Sequence, residues 1–96
     1  MHFVVPHKTT QVGAVTKVRR ALQQSRSELA KHAEITEERW QGNTLHFAAN
    51  VQGKSITGTV DVTAKDFVID AKLPLLWRLF EGRIEKMIAE QMKSLQ

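Results

Sequence analysis

Between residues 44 and 73, apolar residues fall at every second position in three consecutive segments, and this alternation constrains the fold more than any other feature of the chain. Leu45, Phe47, Ala49 and Val51 alternate with Thr44, His46, Ala48 and Asn50. Ile56, Gly58, Val60 and Val62 alternate with Thr57, Thr59, Asp61 and Thr63, and Phe67, Ile69, Ala71 and Leu73 with Val68, Asp70 and Lys72. Successive side chains of a strand point to opposite faces, so each segment has one apolar and one polar face. The separators Gln52-Gly53-Lys54 and Ala64-Lys65-Asp66 are short and turn-forming. The three segments therefore predict an antiparallel meander covered on one side only. Gly42-Asn43 is a further turn signal, which makes residues 35–40 another strand, exposed because it carries Glu37, Glu38 and Arg39.

The cover must come from helices, and the flanks supply two. Phe3, Val4 and Val5 form a short apolar run stopped by Pro6, read as a first strand near an edge. Thr9 or Thr10 then caps a helix from Gln11 to about Ala33, in which Val15, Val18, Leu22, Leu29 and Ala33 share one stripe, Ser25 fills its gap, and Ala14 and Ala21 border it. After Leu73-Pro74 a second helix is predicted to run from Pro74 to near the C-terminus. Its sheet-facing side is expected to be Leu76, Phe80, Ile84, Met87, Ile88 and Leu95, with Trp77 at the edge. The order β-α-β-β-β-β-α gives an α+β domain spanning 1–96, with two amphipathic helices on one face of an antiparallel sheet.

Composition excludes several classes. The chain has 96 residues, 42% of them hydrophobic and 25% charged, which suits one globular domain and not a disordered chain. With no cysteine there is neither a disulfide nor a thiolate metal site, and stability must come from packing, as suits a cytoplasmic protein. No apolar run approaches the roughly 20 residues that span a bilayer, and residues 1–6 are too short and too uncharged for a secretory signal. The net charge of +4 gives only a weak bias toward anionic partners.

Catalytic patterns are missing. There is no nucleophile elbow and no glycine-rich phosphate loop. His2, His7, His32 and His46 lack metal-ligand spacing and are read as solvated or rim residues, although His2 and His7 could approach each other. Glu37, Glu38, Asp70, Glu81 and Glu85 are the carboxylates to check for acid–base work. Glu81 and Glu85 are read as a solvated, salt-bridged helix surface near Arg78 and Lys86. No metal, cofactor or catalytic residue is expected.

Two surfaces remain. Lys17, Arg20, Gln24 and Lys31 form a stripe opposite the core face of the first helix, flanked by Arg19 and Arg26, and could meet phosphates or anionic lipid heads. Nucleic-acid binding would call for exposed aromatics to stack on bases, whereas the polar sheet face offers Thr, Asp, His and Lys. At the start of the second helix, Leu75 and Leu79 project away from the expected core face, with Arg83, Lys86 and Lys93 continuing that side. Either the fold covers these leucines or they form a partner surface, for a homodimer or for an amphipathic boundary.

Taken in order, Trp40-Gln41-Gly42-Asn43-Thr44-Leu45-His46-Phe47, Gly58-Thr59-Val60-Asp61-Val62, Leu73-Pro74-Leu75-Leu76, Phe80 and Ile84-Glu85 resemble the polyhydroxyalkanoic acid system family, also called the granule-region family. The likeness covers nearly the whole chain. It implies a small bacterial protein linked to polyhydroxyalkanoate storage granules, with no established enzymatic activity and no catalytic residue to carry over. Trp40, Gly42, Phe47, Leu73, Phe80 and Ile84 match the pattern as structural residues. The function expected is that of an accessory or binding protein at granules. The alternatives are a small carrier of an apolar ligand, with a shortened helix-grip-like fold and a cavity left by Ala49, Gly58 and Ala71, or a weak RNA- or DNA-associated protein.

Overall fold

A computed structural model describes residues 1–93. Strand β1 (His2–Pro6) leads to helix α1 (Gln11–Ala30). Strands β2 (Glu34–Gln41), β3 (Thr44–Val51), β4 (Lys54–Val62) and β5 (Asp66–Lys72) follow. A 3-10 helix (Leu75–Phe80) then continues into helix α2 (Glu81–Lys93). The sheet order is β1-β5-β4-β3-β2, with every neighbouring pair antiparallel. The chain is thus α+β, as its alternation predicts. β1 and β2 lie at opposite edges, so α1 must carry the chain across the full width of the sheet.

Local chemistry explains the boundaries. Thr10 is extended, and its hydroxyl accepts the amide hydrogen of Gly13 at 3.0 Å, which caps α1. The β2–β3 hairpin turns at Gly42-Asn43, with Gly42 at φ 60°. The β3–β4 hairpin turns at Gln52-Gly53 with positive φ at both residues, 53° and 79°, the twist that a two-residue type I′ connection requires. Between β4 and β5 the Thr63 hydroxyl accepts from the Asp66 amide at 2.9 Å and holds the turn.

The core sits at one end of the sheet. Val5, Leu45, Val62, Phe67 and Ile69 meet Ala14 and Val18 of α1. Phe67 and Val62 have no exposed surface. Ala14 lies at the centre of this contact and not at its border, because only a methyl group lets α1 approach Val62 and Phe67 so closely. His7 corrects the solvated reading of the histidines. It is 6% exposed, its Nε2 lies 2.9 Å from the Thr63 carbonyl, and its ring leans on Phe67 with centroids 5.1 Å apart. It is a core residue that ties the β1–α1 connection to the β4–β5 turn.

Both helices depart from the expected stripes. α1 ends at Ala30, and the Lys31 and His32 amides close the last turn on Glu28 and Leu29, so Ala33 lies in the connection to β2. From Gln23 to His32 every residue of the segment is exposed, including Ser25 and Leu29. The start of the second helical segment winds with about three residues per turn instead of 3.6. That shift rotates the phase. Trp77 turns toward the sheet, while Leu76, Phe80 and Met87 are 65%, 56% and 60% exposed. The inward residues of α2 are Ile84, Ile88, Ala89 and Met92. Leu95, expected on the same face, lies outside the described residues.

The edges are guarded. β1 is five residues long and ends in Pro6. β2 is exposed except at Trp40, carries Glu34, Glu37, Glu38 and Arg39, and has a bulge between Ile35 and Glu37. Charge and a bulge on an edge discourage strand addition from another chain.

Candidate functional site: an exposed apolar ridge and an apolar cavity

The 3-10 helix and the first turns of α2 present a ridge of large apolar side chains to solvent. Leu75 is 77% exposed and Leu79 80%, joined by Leu76, Phe80 and Met87. In a three-residue turn, positions i and i+3 eclipse, so Leu79 stands beside Leu76 and not above Leu75 as 3.6 periodicity implied. Residues 76, 79, 80, 83 and 87 then continue as one stripe at helical steps of three and four. Arg83 interrupts that stripe, and Arg78 and Lys86 flank it, all three exposed. The four residues singled out in the sequence, Leu75, Leu79, Arg83 and Lys86, are thus brought onto one outward-facing segment. Leu76, Phe80 and Met87 belong with them, and sequence periodicity placed those three in the core.

One carboxylate near the ridge is already engaged. Glu81 Oε1 lies 2.8 Å from the Met1 nitrogen, which also donates to the Ala71 carbonyl at 2.9 Å. This contact ties the start of α2 to β1 and leaves the arginines and the lysine to set the charge of the outer face.

The basic stripe of α1 is dispersed. Lys17 is half-buried and Arg20 exposed. Lys31 lies beyond the helix and pairs with Glu28 at 3.4 Å. Arg19 stacks over Trp40 with its guanidinium carbon 4.5 Å from the ring centroid, and Arg26 pairs with Glu38 at 3.1 Å. Most of these cations serve contacts within the fold, which leaves little of a continuous phosphate-gripping row.

The uncovered face of the sheet is polar. The register places Arg39, His46, Thr59, Asp70 and His2 in one row across all five strands. His2 Nδ1 and Asp70 Oδ1 are 2.6 Å apart. His7, buried at the other end of β1, does not join them. Among the described residues no three His, Asp or Glu side chains converge as a metal site. This row presents hydrogen-bonding groups along the open face.

On the helix-covered face, α2 does not close down on the sheet. An apolar cavity of about 290 Å³ lies beneath it, bounded by residues that include Leu73, Trp77, Ile84 and Met92. A second, of about 480 Å³, lies between α1, α2 and β2, bounded by Leu22, Leu29, Ile35 and Leu45 among others. Phe47, Val60, Ile88 and Met92 line both. Gly58 does not create this space. A Cβ built there would sit 2.7 Å from the Phe47 ring, so Phe47 already occupies the room over the glycine.

Residues 1–95 match the family model described as "Putative polyhydroxyalkanoic acid system protein". No curated protein matches the chain. No solved structure matches it either.

Proposed function

The chain belongs to the polyhydroxyalkanoic acid system family, and we propose that within that system it is a non-catalytic accessory protein that docks on the storage-granule surface in the cytoplasm. One observation carries this reading: five large apolar residues, Leu75, Leu76, Leu79, Phe80 and Met87, stand 56–80% exposed on one outward segment. Large apolar side chains left in water forgo about 1.5–3 kcal/mol each. An apolar body with an arginine and lysine rim suits a boundary where hydrocarbon meets anionic groups. No described helix is long and apolar enough to cross a membrane, so attachment by this route is peripheral.

The test is Leu75→Lys combined with Leu79→Lys, followed by co-sedimentation with granules from polymer-accumulating cells. Both side chains are more than three-quarters exposed, so the double variant should fold with a melting midpoint within a few degrees of the parent. It should leave the granule fraction for the soluble one. A folded variant that stays with the granules refutes the docking surface. If the parent dimerises in ultracentrifugation and the variant is monomeric with unchanged granule binding, the ridge is a homodimer contact instead.

A further inference from the structure

We propose that the two-lobed cavity between the sheet and the helices binds a single aliphatic acyl chain whose polar end is uncharged, an ester or alcohol and not a free carboxylate. This inference is independent of granule docking, because it uses the inner face of α2 and the ridge uses the outer one.

The inner lobe fixes the character of the ligand's tail. Every side chain that lines it is apolar, from Ile56 and Ile69 on the sheet to Trp77, Ile84 and Ile88 above. The described lining presents no polar atom to water placed there, and an ordered buried water needs two to four polar partners. Hydrocarbon is the occupant that loses nothing by entering. The void is large for a chain of this size, since interiors normally pack to crystal-like density with few gaps wider than a water molecule. Together the two lobes fall within the range of small-molecule sites, roughly 300–1,000 Å³. α2 has no buried residue of its own, so the helix roofs this space without filling it.

Shape then selects a chain over a compact ligand. The inner lobe runs beneath α2 from Trp77 past Ile84 to Met92. The stretch from Ile84 to Met92 alone is about 12 Å long at 1.5 Å per residue. Phe47, Val60, Ile88 and Met92 line both lobes, and the outer one lies under the exposed second half of α1. An extended, flexible chain can reach from one lobe to the other past these four side chains.

The mouth selects the polar end. It lies between α1 and β2, where Arg26 and Glu38 bridge the gap at 3.1 Å. Glu38 occupies a position on the apolar face of β2, opposite Phe47. Among the described residues that line the mouth, the cation Arg26 is therefore already paired with Glu38, while the Glu37 carboxylate turns to Arg39 at 3.4 Å. A ligand carboxylate would face Glu38 and would compete with it for Arg26. An ester or hydroxyl meets no such repulsion and can bond to the Ser25 hydroxyl, which lines the same mouth.

Trp77 provides the readout. The chain has two tryptophans, and Trp40→Phe removes the one under Arg19 while keeping an aromatic ring there. In that protein, titration with a monoacylglycerol series should change Trp77 emission saturably, with one ligand per chain by native mass spectrometry and a rise in melting temperature. The free fatty acid of matched length should bind at least tenfold more weakly. Val60→Phe and, separately, Ile88→Phe fill the junction of the lobes. Each should melt at or above the parent and lose the titration, and if either fails to fold the other decides. Absence of a saturable change with any chain length would overturn the proposal. Unaltered binding in a folded junction variant, or loss of binding in the Leu75→Lys, Leu79→Lys protein, would overturn it too, because the chain would then sit elsewhere. Equal affinity for the free acid would overturn the uncharged polar end.

Discussion

Two glycine-to-alanine substitutions should change stability in opposite directions, and the pair tests the packing of the sheet directly. At Gly58 an added Cβ would lie 2.3 Å from the Asp70 carbonyl oxygen, 2.7 Å from Phe47 Cζ and 2.9 Å from Ala71 Cα. Two of those three neighbours are backbone of β5, held by the β4–β5 ladder in which Gly58 pairs with Ala71 and Thr59 with Asp70. They cannot retreat without breaking ladder hydrogen bonds, and Phe47 can move only by swinging into the cavity. Overpacking of a fitted site costs about 1–3 kcal/mol, and displaced ladder bonds add about 1 kcal/mol each. Gly58→Ala should therefore cost about 2–4 kcal/mol. For a domain of this length that lowers the melting midpoint by roughly 8–32 °C at 4–8 °C per kcal/mol. At Gly82 nothing lies within 4 Å of the added Cβ. Gly82→Ala should stabilise by about 0.5–1 kcal/mol through helix propensity. Urea titrations of both variants, with the slope unchanged, check the two signs. A neutral or stabilising Gly58→Ala would mean that Phe47 does not lie across Gly58 and that β4 and β5 are not as close as described.

Phe67→Ala should cost about 3–5 kcal/mol, since the ring is fully buried between α1, β1 and His7; a urea midpoint shift equal to that of an exposed substitution such as Thr57→Ala would contradict the core assignment. Gln52→Asn should stabilise by about 0.5–1 kcal/mol, because Gln52 sits at φ 53° in a type I′ turn that prefers Asn-Gly; an unchanged or lower thermal midpoint would count against that turn. Hydrogen exchange should run faster at the amides of α2 than at those of β4, β5 and the first half of α1, because α2 covers a cavity and the others enclose the core.

How much of this was legible in the sequence follows from what local pattern encodes. The period-2 segments at 45–51, 56–62 and 67–73 became β3, β4 and β5 within a few residues, because alternation is itself the consequence of one covered face. Strand order was not legible: β1 pairs with β5 across more than sixty residues of chain, and nothing local specifies that register. The phase of the second helix was misread because Leu75–Phe80 winds as a 3-10 helix, and sequence periodicity assumes 3.6 residues per turn. The same assumption extended α1 to Ala33, although Leu29 carries the right spacing without reaching the sheet. Leu75 and Leu79 stood out in the sequence because apolar residues encircled the helix start, and both are exposed. Their companions Leu76, Phe80 and Met87 were missed through the phase error. His7 gave no signal, since its burial depends on the β4–β5 turn meeting it from the far side of the chain.

The distribution of packing bears on how so small a chain can combine stability with binding. Burial is concentrated where Ala14 and Val18 press on Val62 and Phe67, and α1 is tied there by its Thr10 cap and by the Gln11 side chain, which donates to the Val62 carbonyl at 2.9 Å. The opposite end of the sheet carries the second half of α1 and all of α2, with no buried residue in either stretch. A helix apolar on more than one side normally becomes a core helix. Here the segment from Leu75 to Met92 keeps an outer ridge in water and an inner face over open space, so it holds more apolar surface than the fold conceals. Because the buried core comes from the sheet and α1, with Ala89 and Met92 of that segment packed against it only in part, the segment is relieved of most of the work of stabilising the domain. Substitutions on its outer face should therefore alter attachment while leaving the β-sheet intact, and substitutions on its inner face should alter occupancy of the cavity. The two properties are separable because they rest on opposite sides of one helix.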